Sequence, residues 1–400
     1  MKDKHPIRVL QVVGTLGMGG AETWLMELLK YWQETGGVEM DLLLTSGLRG
    51  IFDDEACKLG ARLFYVPYRR SDLPTFIREF RRILRKGRYD VIHDHSDYVT
   101  GWRFLMGLGV LPKVRVTHVH NPWLHIDANY AMDPFRRLST RIGKRLVNLL
   151  ATQISGTSGA ILRQYGFEPG RNQKPPVTVV HCGINVSSFS IPRDKDRASV
   201  LREFGWSDDA KIVLFAGRLD RALELDHPQN HKNSWFALNV ARAALKTEPR
   251  LRLLMAGAGE QARQALERRI VEWGLQGKLT LIGIRRDIPR LMRAADALLF
   301  PSRQEGLGMV AVEAQAVGLS VLTSTAVPRE AIVIPELMQS LALSEPIACW
   351  VEALLAAVMR SHPDVTACRA ALTASDFSID TSARRLEAIY GSRHDPYTDR

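Results

Sequence analysis

Two glutamates eight positions apart, Glu305 and Glu313, have the types and spacing in this 400-residue chain that most directly suggest chemistry. They lie in RQEGLGMVAVEAQAVG, between the apolar runs ALLFPS and LSVLTS. Apolar runs bounded by Pro301 and Gly318 predict two buried strands, and GMVAVEAQAV between them predicts a short helix. Glu305 then sits in the loop entering the helix, and Glu313 lies within it. The backbone N–H groups of Leu307, Gly308, Met309 and Val310 have no intrahelical acceptor, so this end attracts oxygen-rich or anionic groups. One acid at the mouth and one inside bracket an elongated polar ligand, such as a sugar joined to a nucleotide. Acids also cap and solvate helix starts without any ligand, and the pair taken alone leaves both readings open.

The second candidate is VRVTHVHNPW, a strand of small and branched residues that ends at His118 and His120. Open α/β sheets bind ligands at the carboxyl ends of their strands. Residues i and i+2 of a strand point the same way, so the two rings form a candidate metal pair, with His93 and His95 of HDH as neighbours to consider. Structural histidines satisfied by hydrogen bonds are the alternative. No third ligand stands at a convincing spacing. The one Asp-x-Asp, Asp194–Asp196, falls in a charged stretch away from any strand end. No metal and no cofactor is therefore predicted.

The elements that must position these groups alternate between strand and helix. IRVLQVVG predicts a buried parallel strand, followed by TLGMGGAE and the apolar-periodic helix TWLMELLKYW. Gly17, Gly19 and Gly20 let backbone approach a ligand closely beside that helix start. Their spacing is not G-x-G-x-x-G, and no acid ends a second strand to complete a dinucleotide fingerprint, which argues against a dehydrogenase. MDLLLTS, RLFYVPY, DVIHDHSD, KIVLFAGRL, RLRLLMAGAGE and KLTLIGIRR continue the βαβ alternation of doubly wound sheets. A chain this long exceeds one ordinary core, so two domains are expected. The boundaries fall at 1–185, a charged linker at 186–208, 209–375, and a last helix at 376–392.

Composition narrows the partners. Apolar residues make up 46% and charged residues 24%, the proportions of a globular protein. The four cysteines lack metal-ligand or disulfide spacing, which predicts free thiols in a reducing compartment. No run approaches the roughly 18 apolar residues of a membrane span. The apolar N-terminal run is interrupted early by Gly14–Glu22 with no cleavage site, so it predicts a first strand and a cytoplasmic chain. The net charge of +11 calls for an anionic partner. Zinc-finger, RNP-type and helix-turn-helix signals are missing, which excludes nucleic acid as the favoured partner. Phosphorylated substrates and an anionic membrane remain. LPTFIREFRRILRKG places Phe76, Ile77, Phe80, Ile83 and Leu84 on one helical face and Arg78, Arg81, Arg82, Arg85 and Lys86 on another. FRRLSTRIGKRL is a second basic stretch. Such helices either lie on an anionic bilayer at the inner face of the plasma membrane or cover a sheet with a solvated basic face.

In collinear order, GGAE, HVHN, GRL, KN and the two-glutamate motif resemble the retaining glycosyltransferases of the family 4 type, over roughly residues 7–390. That resemblance implies the GT-B fold: two Rossmann-like doubly wound parallel-sheet domains facing across a cleft, with a C-terminal helix crossing back to the first. It implies that Gly19 and Gly20 face the donor's phosphates and the acceptor, and that His120 faces the transferring sugar. Arg218 and Lys232 stand where the family's paired cations hold the diphosphate. Glu305 takes the place that holds sugar hydroxyls, and Glu313 the place that holds the ribose. Leu307, Gly308 and Met309 of EGLGM lie between them, and the Gly283–Ile284–Arg285 loop would read the base through its backbone. The interdomain motif departs from the family pattern, with His181 and Cys182 replacing Pro and Asn, and Asn185 replacing Asp.

These assignments predict transfer of a hexose-type sugar from a nucleotide donor, a UDP-sugar, to a polyprenyl-linked or growing surface glycan. Two fixed cations would stabilise the departing diphosphate without a metal. No carboxylate near HVHN is placed as a nucleophile, which favours same-face transfer through an oxocarbenium-like state. A two-lobed sugar-nucleotide epimerase, consuming donor without acceptor, is the first alternative. A catalytically silent glycan- or nucleic-acid-binding protein is the second.

Overall fold

The computed structural model describes residues 5–123, 133–189, 193–219, 227 and 230–392. The chain divides into two compact units. The first is Met1–Ile184 with Ile379–Arg400, and the second is Asn185–Ser378.

The first unit is built on seven parallel strands: β1 (Ile7–Val13), β2 (Val38–Leu44), β3 (Leu63–Tyr65), β4 (Val91–Asp94), β5 (Val114–Val119), β6 (Gln153–Gly156) and β7 (Val177–Val179). Their spatial order is β3-β2-β1-β4-β5-β6-β7. Parallel strands need crossover connections. Among the described residues these run through α1 (Gly20–Thr35), α2 (Asp53–Lys58), α3 (Leu73–Gly87), α4 (Val99–Met106), α5 (Pro134–Leu150) and α6 (Gly159–Gln164). Strands covered on both faces read as continuous apolar runs, and Val9, Leu10 and Val12 of β1 are fully buried. Among the fully buried residues of β1 the polar one is Gln11.

The two basic helices divide between the sequence-based alternatives. α3 packs its apolar stripe inward, with Phe76 and Phe80 fully buried, so the stripe covers the sheet and is not available to a bilayer. Helix α5 instead exposes Phe135, Leu138 and Leu149 beside Arg136, Arg137, Arg141 and Arg145.

The second unit holds six parallel strands: β8 (Lys211–Ala216), β9 (Leu251–Ala256), β10 (Leu279–Gly283), β11 (Ala297–Phe300), β12 (Ser320–Ser324) and β13 (Met338–Leu341), in the order β10-β9-β8-β11-β12-β13. Its described helices are α7 (Arg193–Phe204), α8 (Ser234–Ala244), α9 (Glu260–Glu272), α10 (Ile288–Ala294), α11 (Met309–Ala316), α12 (Ile347–Met359) and α13 (Val365–Ala374). Residues expected to form a charged linker are here α7, part of this unit. Arg293 donates to Asp196 at 2.5 Å, and Arg193 and Arg197 both pair with Asp296. Charge misled the reading because these ions are bound to one another and not to water. Asp196 of the Asp-x-Asp is 9% exposed and committed to that pairing.

The last helix, α14 (Ile379–Gly391), belongs to the first unit. Trp24 and Trp32 of α1 donate their indole N–H groups to Ser382 at 2.9 Å and Glu387 at 2.8 Å. Ser382 in turn donates to the His181 carbonyl.

Candidate active site

In each sheet the strand order reverses at one place, between β1 and β4 in the first unit and between β8 and β11 in the second. Connections leave such a point in opposite directions and open a crevice at the strand carboxyl ends. The candidate residues were read from scattered motifs, and most of them fall at these two points.

In the second unit, Arg218 follows β8 and is exposed, while Lys232 precedes α8 and Glu305 follows β11. The polar insert leading to Lys232 lies largely outside the described residues. The Lys232 Nζ nevertheless donates to Glu305 Oε1 at 2.5 Å, 73 residues away in sequence. Arg303 donates its backbone N–H to the His231 carbonyl at 2.8 Å, which holds the two loops side by side. The Lys232 ammonium stands 5.2 Å from the centre of the Phe300 ring. Gly217 lies against the Lys232 stem, since a Cβ there would meet Lys232 Cγ at 3.4 Å, so the Arg218 loop adjoins the same pair.

Gly308 is the N-cap of α11, its φ of +89° is left-handed, and a Cβ there would press on Phe300 and Val327 at 3.2 Å. Leu307 before it is buried, and Met309 is the first helical residue. Glu313 is half-buried one turn further in. Ile284 is 54% exposed after Gly283, at the end of β10. Gly257 donates to the Gly283 carbonyl at 2.8 Å, and Leu219 donates to the Ala258 carbonyl at 2.7 Å, so the ends of β8, β9 and β10 are tied to one another.

In the first unit, Gly19 caps α1 and Gly20 begins it. The Glu22 carboxylate folds back over Gly19, where a Cβ would meet it at 2.2 Å. Burial raises the Glu22 pKa. His120 lies one residue past β5. Asp97, itself at a left-handed φ of +52°, accepts from the backbone N–H groups of His120 at 2.8 Å and Asn121 at 3.2 Å, and from the Asn121 amide at 2.8 Å. Burial pushes the Asp97 carboxyl up to about 6.

His118 and His120 do point the same way, stacked at 4.4 Å with planes 14° apart. His93 and His95 join them. His93 Nε2 lies 3.2 Å from His118 Nδ1, and His95 Nδ1 lies 2.9 Å from His120 Nε2. Burial first, and then neighbouring rings for three of them, holds all four below the usual histidine range, His120 at about 4. One nitrogen each from His93, His95 and His118 lies within 4.8 Å of the others, a metal-like spacing. The nitrogens that face one another, however, are at hydrogen-bond distance.

Two members of this cluster escaped sequence reading. Gln11 contacts His95 Nε2 through its Oε1 at 2.8 Å, and the Tyr390 hydroxyl contacts His93 Nδ1 at 2.7 Å. Gln11 carried a signal, being a lone amide inside an apolar strand, whereas Tyr390 on a distant amphipathic helix carried none. Trp24 covers the group, with its ring centre 5.1 to 6.5 Å from all four imidazoles.

Two doubly wound parallel-sheet units, each gathering polar groups at its switch point, define a GT-B protein. The family models agree: one described as Glycosyltransferase Family 4 matches residues 18–188, and one described as Glycosyl transferases group 1 matches residues 210–358. The chain belongs to the family 4 type of GT-B glycosyltransferases. It is 29% identical over 358 residues to EpsF of Bacillus subtilis (strain 168), assigned to the glycosyltransferases, covering 89% of each chain. It is 25% identical over 339 residues to the D-inositol 3-phosphate glycosyltransferase of Thermobispora bispora, covering 78% of this chain and 75% of that one. The fold matches Anabaena HepE in complex with UDP-glucose at a TM-score of 0.74 and 16% identity, over 96% of this chain and 98% of that one.

Proposed function

We propose that this glycosyltransferase moves a hexose-type sugar from a UDP-sugar to a lipid-linked or growing surface glycan, with retention and without a metal. The observation that carries the reading is the Lys232–Glu305 contact beside the Arg218 loop and the start of α11. A nucleoside diphosphate leaving group concentrates negative charge, which a fixed lysine and arginine stabilise as it departs. Glu305, held by Lys232, orients sugar hydroxyls, and Glu313 takes the ribose. Gly19 and Gly20 leave backbone close to the phosphates and acceptor, and the Ile284 backbone reads the base. The leaving phosphate accepts the acceptor's proton on the face it vacates, so the anomeric configuration is retained. UDP-glucose bound to the structurally similar HepE supports the choice of nucleotide.

The basic, apolar-studded face of α5 supports contact with an anionic membrane, where lipid-linked acceptors reside. No described helix is long and apolar enough to cross one.

The test is UDP release from a panel of UDP-hexoses, with and without a polyprenyl-diphosphate-linked acceptor. Acceptor-dependent release is expected, with the donor's anomeric configuration in the product by NMR. Arg218→Ala and Lys232→Ala should each lower kcat roughly 10²-fold, as for losing one charge-stabilising donor. Wild-type turnover in either variant refutes the cation roles. Activity abolished by EDTA and restored by magnesium refutes the metal-free mechanism, and donor isomerised without acceptor identifies an epimerase.

A further inference from the structure

The first unit contains a continuous line of side-chain contacts whose direction can be read from elementary hydrogen-bond chemistry. It runs from His118 to His93 (3.2 Å), to Tyr390 (2.7 Å), to Gln11 (3.2 Å), to His95 (2.8 Å) and to His120 (2.9 Å). The six residues come from β1, β4, β5, the turns after β4 and β5, and α14. All are buried except half-buried His120.

A neutral imidazole donates with one nitrogen and accepts with the other, so each ring passes on the direction it receives. The Gln11 carbonyl oxygen can only accept, so His95 donates to it from Nε2. His95 Nδ1 is then an acceptor, and His120 must donate to it from Nε2. On the other side the Gln11 amide nitrogen donates to the Tyr390 hydroxyl, Tyr390 to His93 Nδ1, and His93 Nε2 to His118 Nδ1. All five bonds therefore donate in one sense, from His120 towards His118. At the far end His118 Nε2 closes no hydrogen bond with a described residue. At the near end His120 Nδ1 makes no hydrogen bond with any described residue.

We propose that Gln11 and His95 are positioning residues that lock His120 in its Nε2–H tautomer, presenting Nδ1 as a bare acceptor to a hydroxyl of the sugar or of the incoming acceptor. The inference rests on the reading of His120 as the ring that faces the transferring sugar. Turning the Gln11 amide over would reverse all five bonds together and make His120 Nδ1 a donor, so one buried amide decides what the ring offers. Asp97 fixes the backbone of His120 while this line fixes its proton. A metal held by His93, His95 and His118 would have to displace the protons that join the facing nitrogens.

The test uses long-range 1H–15N spectra of the full chain labelled in histidine, together with steady-state kinetics on a UDP-hexose. Wild type is expected to show His120 as a single Nε2–H tautomer. Gln11→Met, similar in volume, should spread His95 and His120 over both tautomers and lower kcat roughly 10- to 100-fold with donor KM unchanged. Gln11→Glu, whose carboxylate only accepts, should restore the single His120 tautomer. Should Gln11→Met not fold, Tyr390→Phe tests the other arm: His93 should lose its single tautomer while His120 keeps its own. A mixed or Nδ1–H His120 in wild type overturns the proposal, as does Gln11→Met with unchanged spectra. So does loss of the His93, His95 and His118 ring N–H signals on adding equimolar zinc ion. Spectra that respond while kcat does not would leave the line of bonds standing and overturn the reading of His120 on which it depends.

Discussion

Under the proposed function, the Lys232–Glu305 contact serves both folding and chemistry. The Glu305 side chain is only 7% exposed and the Lys232 side chain 24%, so each ion has lost much of its hydration and depends on the other. Truncating one partner leaves the remaining charge in a poorly solvated place. Lys232→Met should therefore destabilise the second unit by about 1–3 kcal/mol, the usual cost of an orphaned polar group, besides removing the cation proposed to hold the diphosphate. Adding Glu305→Gln removes the orphaned charge and should recover most of that stability while turnover stays lost. Urea denaturation and UDP-release assays on the single and double variants separate the two effects. A double variant as unstable as Lys232→Met would mean that the contact is not what costs stability.

At the scale of elements, the site depends on how closely the carboxyl ends of β8, β9 and β10 approach. A Cβ on Gly257 would fall 1.8 Å from the Gly217 carbonyl oxygen, and Gly257 has a φ of +159°. Gly257→Ala must displace the Gly217–Arg218 turn that adjoins Lys232, and its KM for the donor is expected to rise at least tenfold while the unit stays folded by circular dichroism. An unchanged KM would show that the turn yields without affecting the donor. The strands themselves were legible because parallel strands buried on both faces leave long apolar runs, as in IRVLQVV and KIVLFA. Glu305, His118 and His120 were legible because they sit at the ends of such runs, where a polar residue has a short list of roles, and Glu313 because it interrupts the otherwise apolar start of α11. What escaped was set by tertiary pairing. α7 looked like a linker because its charges are matched by Arg293 and Asp296, about a hundred residues away in sequence. The inward turn of the α3 apolar stripe needed the sheet beneath it, and the bond from Gln11 to Tyr390 spans 379 residues of sequence.

Across the whole molecule, the buried histidines make the first unit the acid-sensitive one. Each has a folded pKa below its unfolded value of about 6.5, so the unfolded chain binds protons that the folded chain refuses. Stability from these groups is fully present above pH 6.5 and is lost as pH falls, down to about pH 4 for His120. Asp97 acts in the opposite sense. Its folded pKa of about 6 lies above the ordinary aspartate value of 3.8, so its contribution is full below 3.8 and is lost as pH rises through 6. Between about pH 6 and pH 4 the four imidazoles take up protons on unfolding, while Asp97 and the burial-raised Glu22 release them, and the imidazoles are the more numerous. The first unit should therefore lose stability as the solution is acidified from pH 6 towards pH 4, by up to about 1.4 kcal/mol per pH unit for each proton taken up on unfolding. His93→Gln should make that slope shallower, and Asp97→Asn should make it steeper. Urea unfolding of the full chain at pH 7, 6, 5 and 4, followed by amide hydrogen exchange of the β1 and β4 backbone, measures the slope for the first unit directly. A stability flat from pH 7 to pH 4 would mean that the four rings take up protons in place, and a buried line of neutral imidazoles could not then exist.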